Sequence, residues 1–400
     1  PPTVHHPAEI CVAPRDMDFP SFTPFQFPAD NKDATTTTTH FDYHSISSRL
    51  VKLDILGHVD PTMIRMLENL THRDPKTIPL DDKPTLSLFN STSALGLTPQ
   101  QIGTKSGTYG LPEFRTSFTR QMIDDTKPDC FSDLVRISGF SHGTDVWLGN
   151  AQDLIRQGKC TLKNAISARD DIMMYLIHHG VDALKSFKTM ENVRKGKGIK
   201  ADVVEDLKAH DVPDWYIDSC QKIKYLFPRA HATAYVMMAY RIAYCKVHYP
   251  LAYYAAYFSK RTEEFDANEI IKGQRYVKDK LDELENLERE LDVKESDRLA
   301  DYQVVYEYFL RGFNFERANL YESAAEDFII KKNSLLMSLS SIGGVSEANA
   351  KNIVEARAKG KFISIEDLKS RANLTRIGIT ALKTHGCLKN LQETNQMTLF

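Results

Sequence analysis

The sequence has few cysteines, very little tryptophan and almost no net charge. Its six cysteines never occur as a Cys-x-x-Cys pair, which argues against a zinc ribbon or a thioredoxin-type site. Scattered thiols are typical of a reducing compartment, so we expect a cytoplasmic protein without disulfides. A formal net charge of −2 over 400 residues argues against a wholly basic nucleic-acid coat and against an acidic disordered tail.

The sequence also lacks a long apolar run and an initiating methionine. Its most promising apolar stretch, residues 230–240, contains polar residues, lies between Arg229 and Arg241, and is too short to span a bilayer. We therefore expect no membrane partner. The chain begins Pro1-Pro2 and soon reaches strand-like sequence, so we interpret it as the C-terminal piece of something longer. Its length allows two or three domains.

The hydrophobic pattern changes along the chain from β-rich to helical. Residues 1–56 contain prolines, short apolar runs and five consecutive threonines, which favours strands and loops. From about Pro61 the apolar period is helical. Helices are predicted at 61–70, 112–125, 145–157 with Asp145 as the cap, 161–179, 183–195, 201–210 and 213–223. The fold class predicted is α+β and predominantly helical.

The strand at 51–57 is the best candidate for catalysis. Its alternation places Val51, Leu53 and Ile55 on one face and Lys52 and Asp54 on the other. A carboxylate on the polar face of a strand, beside a lysine, can hold Mg²⁺ for phosphoryl transfer. A structural salt bridge between these two residues is the usual alternative, and the strand alone does not exclude it.

Charge is distributed in opposed zones. Residues 219–262 contain seven Lys or Arg and no acid, whereas residues 263–301 contain fourteen acidic and seven basic residues. We interpret the acidic zone, with its leucines at 281, 284, 287 and 291, as a solvated amphipathic helix. Residues 331–390 are basic again, with eleven Lys or Arg against four acids. Because ordinary surfaces interleave both signs, the basic zones suggest segments that face a polyanion.

Within the acid-free zone, Pro228 can begin a helix. Arg229, His231 and Tyr235 then fall around its first turns, where free N–H groups and cations attract phosphate and aromatic rings can stack on bases. The alternative is a core helix whose cations reach out to solvent.

Gly343 and Gly344 precede a predicted helix that runs through residues 348–354. A glycine hairpin between two short helices allows backbone N–H groups to approach a DNA phosphate without a Cβ in the way. The following basic residues favour this interpretation over a simple turn: Lys351, Arg357, Lys359 and Lys361.

The last five residues, Gln396 to Phe400, follow a polar spacer and read QMTLF. A short peptide with one amide and spaced apolar anchors suits a groove on a partner. An ordinary frayed tail is the alternative.

Four segments, in this order, resemble the PolC-type DNA polymerase III alpha subunit, the C-family replicative polymerase of low-GC Gram-positive bacteria. They are VKLDILGH at 51–58, SGFSHGTDVW at 138–147, the run from Lys222 to Tyr235 and the final QMTLF. The similarity extends over nearly all of the chain. It implies part of a palm at 1–60, fingers at 61–265, a duplex-binding domain at 266–390 with a helix-hairpin-helix near 340–357, and a sliding-clamp-binding tail at 391–400.

The resemblance implies addition of dNTPs to a primer 3′-end by a two-metal Mg²⁺ mechanism. Asp54 would be a palm carboxylate and the one Mg²⁺ ligand present here, with Lys52 near the primer terminus. The nucleotide-binding residues implied are Arg169, Lys224, Tyr225, Phe227, Arg229 and His231. The DNA-binding residues implied are Gly343, Gly344, Lys351 and Arg357. The clamp would be bound by Gln396, Met397, Leu399 and Phe400, and other replisome subunits in the nucleoid would be further partners.

The sequence departs from the family in its first residues. The family's other two catalytic aspartates lie upstream of Pro1, and Asp16 and Asp18 are not that pair. His6-Pro7-Ala8-Glu9 stands where the family has His-Pro-Gly-Gly. We therefore expect this chain to bind DNA and the clamp but not to polymerise alone. The rival hypothesis is a non-enzymatic DNA- and clamp-binding adaptor.

Overall fold

The computed structural model describes residues 9–28, 31–34, 36–54, 57–287 and 290–395, without the side chains of Glu9, Tyr43, His44 and Asp54. The chain divides into two compact units, residues 1–59 and residues 60–400. The second unit contains both the predicted fingers and the predicted duplex-binding domain, so the boundaries predicted within it stay predictions.

The first unit contains two small antiparallel sheets. Its elements are β1 (Glu9–Val12), β2 (Phe25–Gln26), β3 (Thr38–Thr39), α1 (Tyr43–Ile46) and β4 (Val51–Asp54). Strand β1 pairs with β4, and β2 pairs with β3. One face of the β1–β4 pair is apolar and its side chains are 42–61 % exposed: Ile10, Val12, Val51 and Leu53. A two-stranded sheet of this kind has marginal stability by itself.

The second unit begins with a long helical region. Its helices are α2 (Val59–Thr71), α3 (Lys83–Ser87), α4 (Pro99–Ile102), α5 (Ser117–Thr126), α6 (Phe131–His142), α7 (Gln152–Arg156), α8 (Arg169–His178), α9 (Ala183–Arg194), α10 (Ala201–Ala209), α11 (Asp214–Lys222), α12 (Arg229–His248), α13 (Pro250–Lys260), α14 (Ala267–Ile270), α15 (Gln274–Asn286) and α16 (Val293–Leu310). None of these described helices combines the length and apolar character needed to cross a membrane.

A small mixed sheet and three further helices complete the second unit. The elements are β5 (Asn314–Glu316), β6 (Ile329–Ile330), β7 (Ser334–Leu336), α17 (Glu347–Ala358), α18 (Ile365–Arg371) and α19 (Arg376–His385). Strand β7 lies in the middle, parallel to β5 and antiparallel to β6. The prediction of a predominantly helical α+β fold is confirmed.

Three details of the helix prediction are wrong. Helix α5 begins at Ser117 rather than 112, and α8 begins at Arg169 rather than 161. Asp145 has φ 56° and caps no helix, because Leu148 and Gly149 interrupt the following turn with non-helical angles. Short-range periodicity did not reveal these breaks, which depend on left-handed residues and tertiary contacts.

The acidic zone is not one solvated helix. It forms α14, α15 and the start of α16, with Gly273 before α15 and an Asp292 capping box before α16. Helix α15 packs on α16 and buries Leu281, whereas Leu287 stays exposed. Only Leu281 and Leu284 therefore lie on the core side of α15, and Leu287 and Leu291 follow the end of that helix.

Helix α12 is anchored by a buried ionic network. Lys246 and Glu307 are both fully buried, and the Lys246 Nζ lies 2.8 Å from Glu307 Oε1. The ammonium also donates to the carbonyl oxygens of Gly107 and Tyr109, at 2.9 and 2.6 Å, and the Tyr254 hydroxyl donates to Glu307 at 2.6 Å. Burial lowers the pKa of Lys246 to about 8, against the opposing effect of Glu307. These contacts fix α12 against α16.

Candidate functional site

Two helices begin side by side in the predicted fingers. Helix α12 begins at Arg229 after Pro228, as the sequence predicts. The preceding segment crosses the start of α8, where the Arg169 backbone N–H donates to the Phe227 carbonyl at 3.0 Å. A bridge between Thr144 and Tyr225 fixes the same segment from the other side. Helix starts carry the positive end of the helix dipole, and here the first N–H of each helix, at Arg169 and at Arg229, already has a partner within the chain.

Asp171 connects these two helix starts. Its side chain is 9 % exposed and forms ion pairs with Arg229 and, at 3.5 Å, with Arg136. It also accepts hydrogen bonds from the Ser167 N–H, the Ser167 hydroxyl and the Ala168 N–H, at 2.9, 2.7 and 3.0 Å. The neighbouring Asp170 accepts from the Arg229 backbone N–H at 2.8 Å. The first turn of α12 is therefore fixed to the first turn of α8.

Four rings form a column beside this junction. His142 stacks on Phe227 with ring centroids 4.9 Å apart, and Phe227 meets His231 edge-on at 4.6 Å. His231 in turn stacks on Tyr235, one helical turn further along α12, at 4.4 Å. The column lies next to Arg229 and therefore next to both helix starts.

The two histidines of the column have opposite electrostatic environments. The His142 Nε2 lies 2.6 Å from Glu113 Oε2, and this hydrogen bond raises the pKa of the imidazole above its ordinary value. Burial, with a smaller contribution from the charge of His142, lowers the pKa of His231. A carboxylate partner favours the imidazolium, whereas a nearby like charge disfavours it.

The structure brings all six predicted nucleotide-binding residues into this region. Tyr225 is 42 % exposed, and Arg229 and His231 are exposed on the first turn of α12. The opposite side of the same helix packs in the core through Ala232 and Val236. One face of this helix thus packs in the core, and a phosphate-binding role for its exposed residues stays a prediction. The remaining predicted residues here are Arg169, Lys224 and Phe227.

Sequence reasoning did not identify Glu113, His142 and Asp171 as site residues. His142 belongs to the SGFSHGTDVW segment, which carries the resemblance but for which the sequence predicts no function. Glu113 gave no signal because it pairs with a residue 29 positions away. Asp171 gave none because an acidic residue in a first turn is an ordinary helix feature.

The Gly343–Gly344 turn is already in contact with an acid. The Gly343 N–H donates to Asp266 Oδ1 at 3.1 Å, and a Cβ added to Gly343 would lie 2.5 Å from Asp266 Oδ2. Gly344 has φ 97°, which explains the glycine there. The element before this turn is β7 rather than a helix; the two helices joined by a short turn are α18 and α19.

The two predicted basic DNA contacts of this region are also engaged within the chain. The Lys351 Nζ lies 2.7 Å from Glu326 Oε1, with the lysine side chain 53 % exposed. The Arg357 Nη1 donates to the Leu320 carbonyl at 2.9 Å. The lysine can exchange its partner for a phosphate more easily than the half-buried arginine can.

The predicted palm and tail residues are only partly described. The backbone of Asp54 ends β4 opposite Glu9, and the Asp54 side chain lies outside the described part of the chain. Lys52 lies opposite Cys11 and is half-buried. Gln396, Met397, Leu399 and Phe400 lie outside the described residues.

Among the described residues, one group of possible metal ligands comes together elsewhere, at the start of α6: Asp129, Cys130 and Asp133. Asp133 Oδ2 accepts the Asp129 backbone N–H at 3.3 Å. A carboxylate in this position is typical of a helix N-terminus. The group therefore gathers at the start of α6, where Asp133 contacts the backbone of the preceding segment.

Comparison with known proteins assigns the class. Residues 60–211 match the bacterial DNA polymerase III alpha subunit finger domain, and residues 312–398 match a helix-hairpin-helix motif. The start of α8, with Asp170 and Asp171, therefore lies in the region similar to polymerase fingers, whereas α12 lies beyond the matched residues. Residues 60–211 are thus similar to the finger domain of a bacterial DNA polymerase III alpha subunit.

Individual relatives indicate which type of DNA polymerase III the chain resembles. The chain is 53 % identical over 398 residues to the DNA polymerase III PolC-type of Caldanaerobacter subterraneus subsp. tengcongensis, 51 % to that of Bacillus subtilis and 50 % to that of Oceanobacillus iheyensis. Each match covers 100 % of this chain and 28 % of the relative. Over its whole length the chain is similar to proteins of the PolC-type DNA polymerase III family, and it spans little more than a quarter of these relatives' length.

Proposed function

We propose that this chain is the part of a PolC-type replicative DNA polymerase that holds the incoming nucleotide and grips the DNA. The observation that carries the proposal is the junction of α8 and α12, where two helix starts, Arg169 and Arg229 meet a column of rings. Such a surface combines positive charge for a triphosphate with flat faces for a base. The whole enzyme would add a dNTP to a primer 3′-end.

Two cations of the junction are available for a triphosphate. Among the described residues, the side chains of Arg169 and Lys224 make no ion pair, whereas Arg229 is fixed by Asp171. Arg229 therefore supplies a fixed point, and the other two can turn toward a ligand. Phosphoryl transfer needs such cations because negative charge is spread over the transferring oxygens.

The metal chemistry needs more than this chain. Mg²⁺ bound at the palm would activate the primer hydroxyl and stabilise the leaving pyrophosphate. Of the predicted ligands only Asp54 is present here, and a single carboxylate does not fit a two-metal site. We therefore propose that Asp54 supplies one ligand and that the remaining carboxylates come from other parts of the polymerase.

The exposed sheet of the first unit supports this division. Val51 and Leu53 lead to Asp54 on β4, and their face is open to solvent together with Ile10 and Val12. Exposed apolar faces of this kind mark surfaces that pack against something else. In the proposed enzyme, the rest of the palm covers this face.

Duplex binding is assigned to the region around α17 to α19, and clamp binding to residues 396–400. The match of residues 312–398 to a helix-hairpin-helix motif supports the first assignment. The second depends on the pattern of Gln396, Leu399 and Phe400 alone. A polymerase of this kind would act at the nucleoid in the cytoplasm.

The proposed function is tested by Asp54→Asn in the complete polymerase. We expect loss of primer extension with DNA binding largely retained, because the substitution removes a metal ligand without adding bulk. Retained extension would remove Asp54 from the metal site.

The chain alone should incorporate negligible nucleotide with primer-template and Mg²⁺. Deleting residues 396–400 from the complete enzyme should abolish clamp-dependent processivity and spare distributive synthesis.

The adaptor hypothesis predicts a different result. An adaptor would bind DNA and clamp without any affinity for a nucleotide triphosphate. The charged junction of α8 and α12 has no role in an adaptor, and this observation favours the polymerase. Titration of the chain with dATP separates the two hypotheses.

A further inference from the structure

His142 is the last residue of α6, and only one of its two ring nitrogens has a hydrogen-bond partner among the described residues. Its Nε2 is bonded to Glu113, while Nδ1 has no hydrogen-bond partner among the described residues. The side chain is 41 % exposed. A protonated imidazole donates from both nitrogens. The ring therefore presents one N–H to solvent in an orientation that its partner fixes.

Glu113 is built into the fold at a conformational cost. Its side chain is 10 % exposed, and its Oε2 also accepts the Ser138 hydroxyl at 3.0 Å. Its backbone is left-handed, with φ 65°, which costs a non-glycine residue on the order of 1 kcal/mol. Residues kept in such conformations cluster at functional sites. This conformation holds the Glu113 carboxylate against the Nε2 side of the His142 ring.

The open side of His142 belongs to the same surface as the helix starts. Its ring stacks on Phe227 at an interplanar angle of 20°. The carbonyl of Phe227 accepts the Arg169 N–H, and Arg229 follows two residues later. One residue thus connects His142 with both arginines. The His142 ring is thus a neighbour, through Phe227, of the junction at which the polyphosphate is proposed to bind.

We propose that His142 is a third cationic contact for the polyphosphate of the incoming nucleotide, and that Glu113 is the positioning residue that orients its ring. The proposal rests on the proposed function, since it names a further contact at the same site. Charge-assisted hydrogen bonds to phosphate are about twice as strong as neutral ones, so an imidazolium serves this site better than a neutral ring.

The competing explanation is structural. A cation in the last turn of a helix interacts favourably with the helix dipole, and the pair with Glu113 would then only close the end of α6. The two explanations differ in whether a ligand senses the charge of His142. The titratable groups that the described residues bring against this ring are Glu113 and, across Phe227, His231.

The test is calorimetric titration of the 400-residue chain with dATP and with inorganic tripolyphosphate at pH 6.5, 7.5 and 8.5. The variants are His142→Gln and Glu113→Gln. The matched control is His178→Gln, the same substitution at the exposed last residue of α8. Thermal unfolding of each variant checks that it folds. Arg169→Ala serves as the reference for the proposed nucleotide site.

We expect His142→Gln to lower the affinity of the chain for both ligands roughly tenfold at pH 6.5. The control should stay within about twofold, since α8 extends about 1.5 Å per residue away from the site. The affinity of the unchanged chain for both ligands should fall as pH rises through the pKa of His142. The affinity of His142→Gln should not show this pH dependence. Glu113→Gln should move the midpoint of the fall to lower pH, because the imidazolium loses its carboxylate partner.

Each other outcome overturns the proposal. If His142→Gln binds both ligands as the unchanged chain does, or loses affinity with the same pH dependence, His142 has only a structural role. If Arg169→Ala weakens binding and His142→Gln does not, the proposed function survives and this inference fails. If the unchanged chain binds neither ligand at millimolar concentration, the proposed nucleotide site fails and this contact fails with it.

Discussion

The junction of α8 and α12 and the region from β5 to α19 use their polar side chains in different ways. At the junction, His142 keeps one ring nitrogen open and its bond to Glu113 raises its pKa. In the C-terminal region, His385 is 1 % exposed and both of its ring nitrogens have partners. Its Nδ1 lies 3.1 Å from Asn268 Oδ1, and its Nε2 accepts the Ala318 N–H.

The difference shows which motif residues are available to a ligand. Lys351, Arg357 and Gly343 were predicted to contact DNA, and each already has a partner within the chain. Arg169 has none for its side chain among the described residues. Counting basic residues thus overestimates the positive charge that is available to a ligand in the C-terminal region. At the junction the same count underestimates that charge, because it omits His142.

The largest effect should come from breaking the buried Lys246–Glu307 anchor near the end of α12. Lys246→Met leaves Glu307 buried without its cation, and such a loss costs about 3–5 kcal/mol of the free energy of unfolding. Urea unfolding measures it. The double variant Lys246→Met with Glu307→Leu should recover most of the loss, because an apolar pair removes the stranded charge. Lys278→Met, at an exposed pair, should change stability by less than about 1 kcal/mol. Equal effects at positions 246 and 278 would refute the anchor.

The C-terminal region should lose stability in acid through His385. Burial, with a smaller contribution from Arg317, lowers the pKa of this imidazole to about 4 in the folded chain. The unfolded chain binds the proton more readily, so the stabilisation is complete above about pH 6.5 and is lost as pH falls toward 4. The expected contribution is about 2–3 kcal/mol.

Urea unfolding at pH 7 and pH 4 measures this loss in the unchanged chain and in His385→Asn. The variant should be less stable at pH 7 and should depend less on pH than the unchanged chain. If both chains lose the same stability between the two pH values, His385 is not the group responsible. His178→Asn, exposed at the end of α8, is the matched control and should change nothing.

The contrast between available and engaged cations is sharpened by a pair of alanine substitutions. Arg169→Ala should weaken dATP binding about tenfold, the equivalent of about 1.4 kcal/mol. Lys351→Ala should weaken duplex binding less than about twofold, because Lys351 must first leave Glu326. Fluorescence anisotropy at several salt concentrations measures the duplex affinity. A fall in the salt slope of about 1 for Lys351→Ala would mean that this lysine does neutralise a phosphate.

A small effect in the opposite direction should come from Asp266. Asp266→Asn keeps an acceptor for the Gly343 N–H and removes a negative charge from the turn. Duplex affinity should rise about two- to threefold at low salt and be unchanged at high salt. Glu322→Gln, an exposed acid of the same region, is the control. A lower affinity in Asp266→Asn would indicate that the carboxylate supports the DNA-binding form of the turn.

Much of the fold and part of the site could be predicted from the sequence. Pro228 marked the start of α12 because proline suits the beginning of a helix. Residues spaced along one element, such as Arg229, His231 and Tyr235, could be grouped by the helical period alone. The breaks at Leu148 and Gly149 could not, since they depend on local backbone angles that periodicity does not encode.

Partners distant in sequence could not be predicted. Glu113 meets His142, Asp266 meets Gly343, and Lys246 meets Glu307, all through packing of separate elements. No local pattern encodes such pairs. They decide which charges stay available, so the chemistry of the junction required the structure even where its residues were already suspected.

The most direct measurement is photocrosslinking of the chain with 8-azido-dATP followed by peptide mapping. We expect label on the segment from Lys222 to Tyr235 and on the peptide that contains His142, with protection by excess dATP. We also expect that label to be lost in Arg169→Ala. Label confined to residues 312–395, or label that excess dATP does not displace, would mean that the junction of α8 and α12 does not hold the nucleotide.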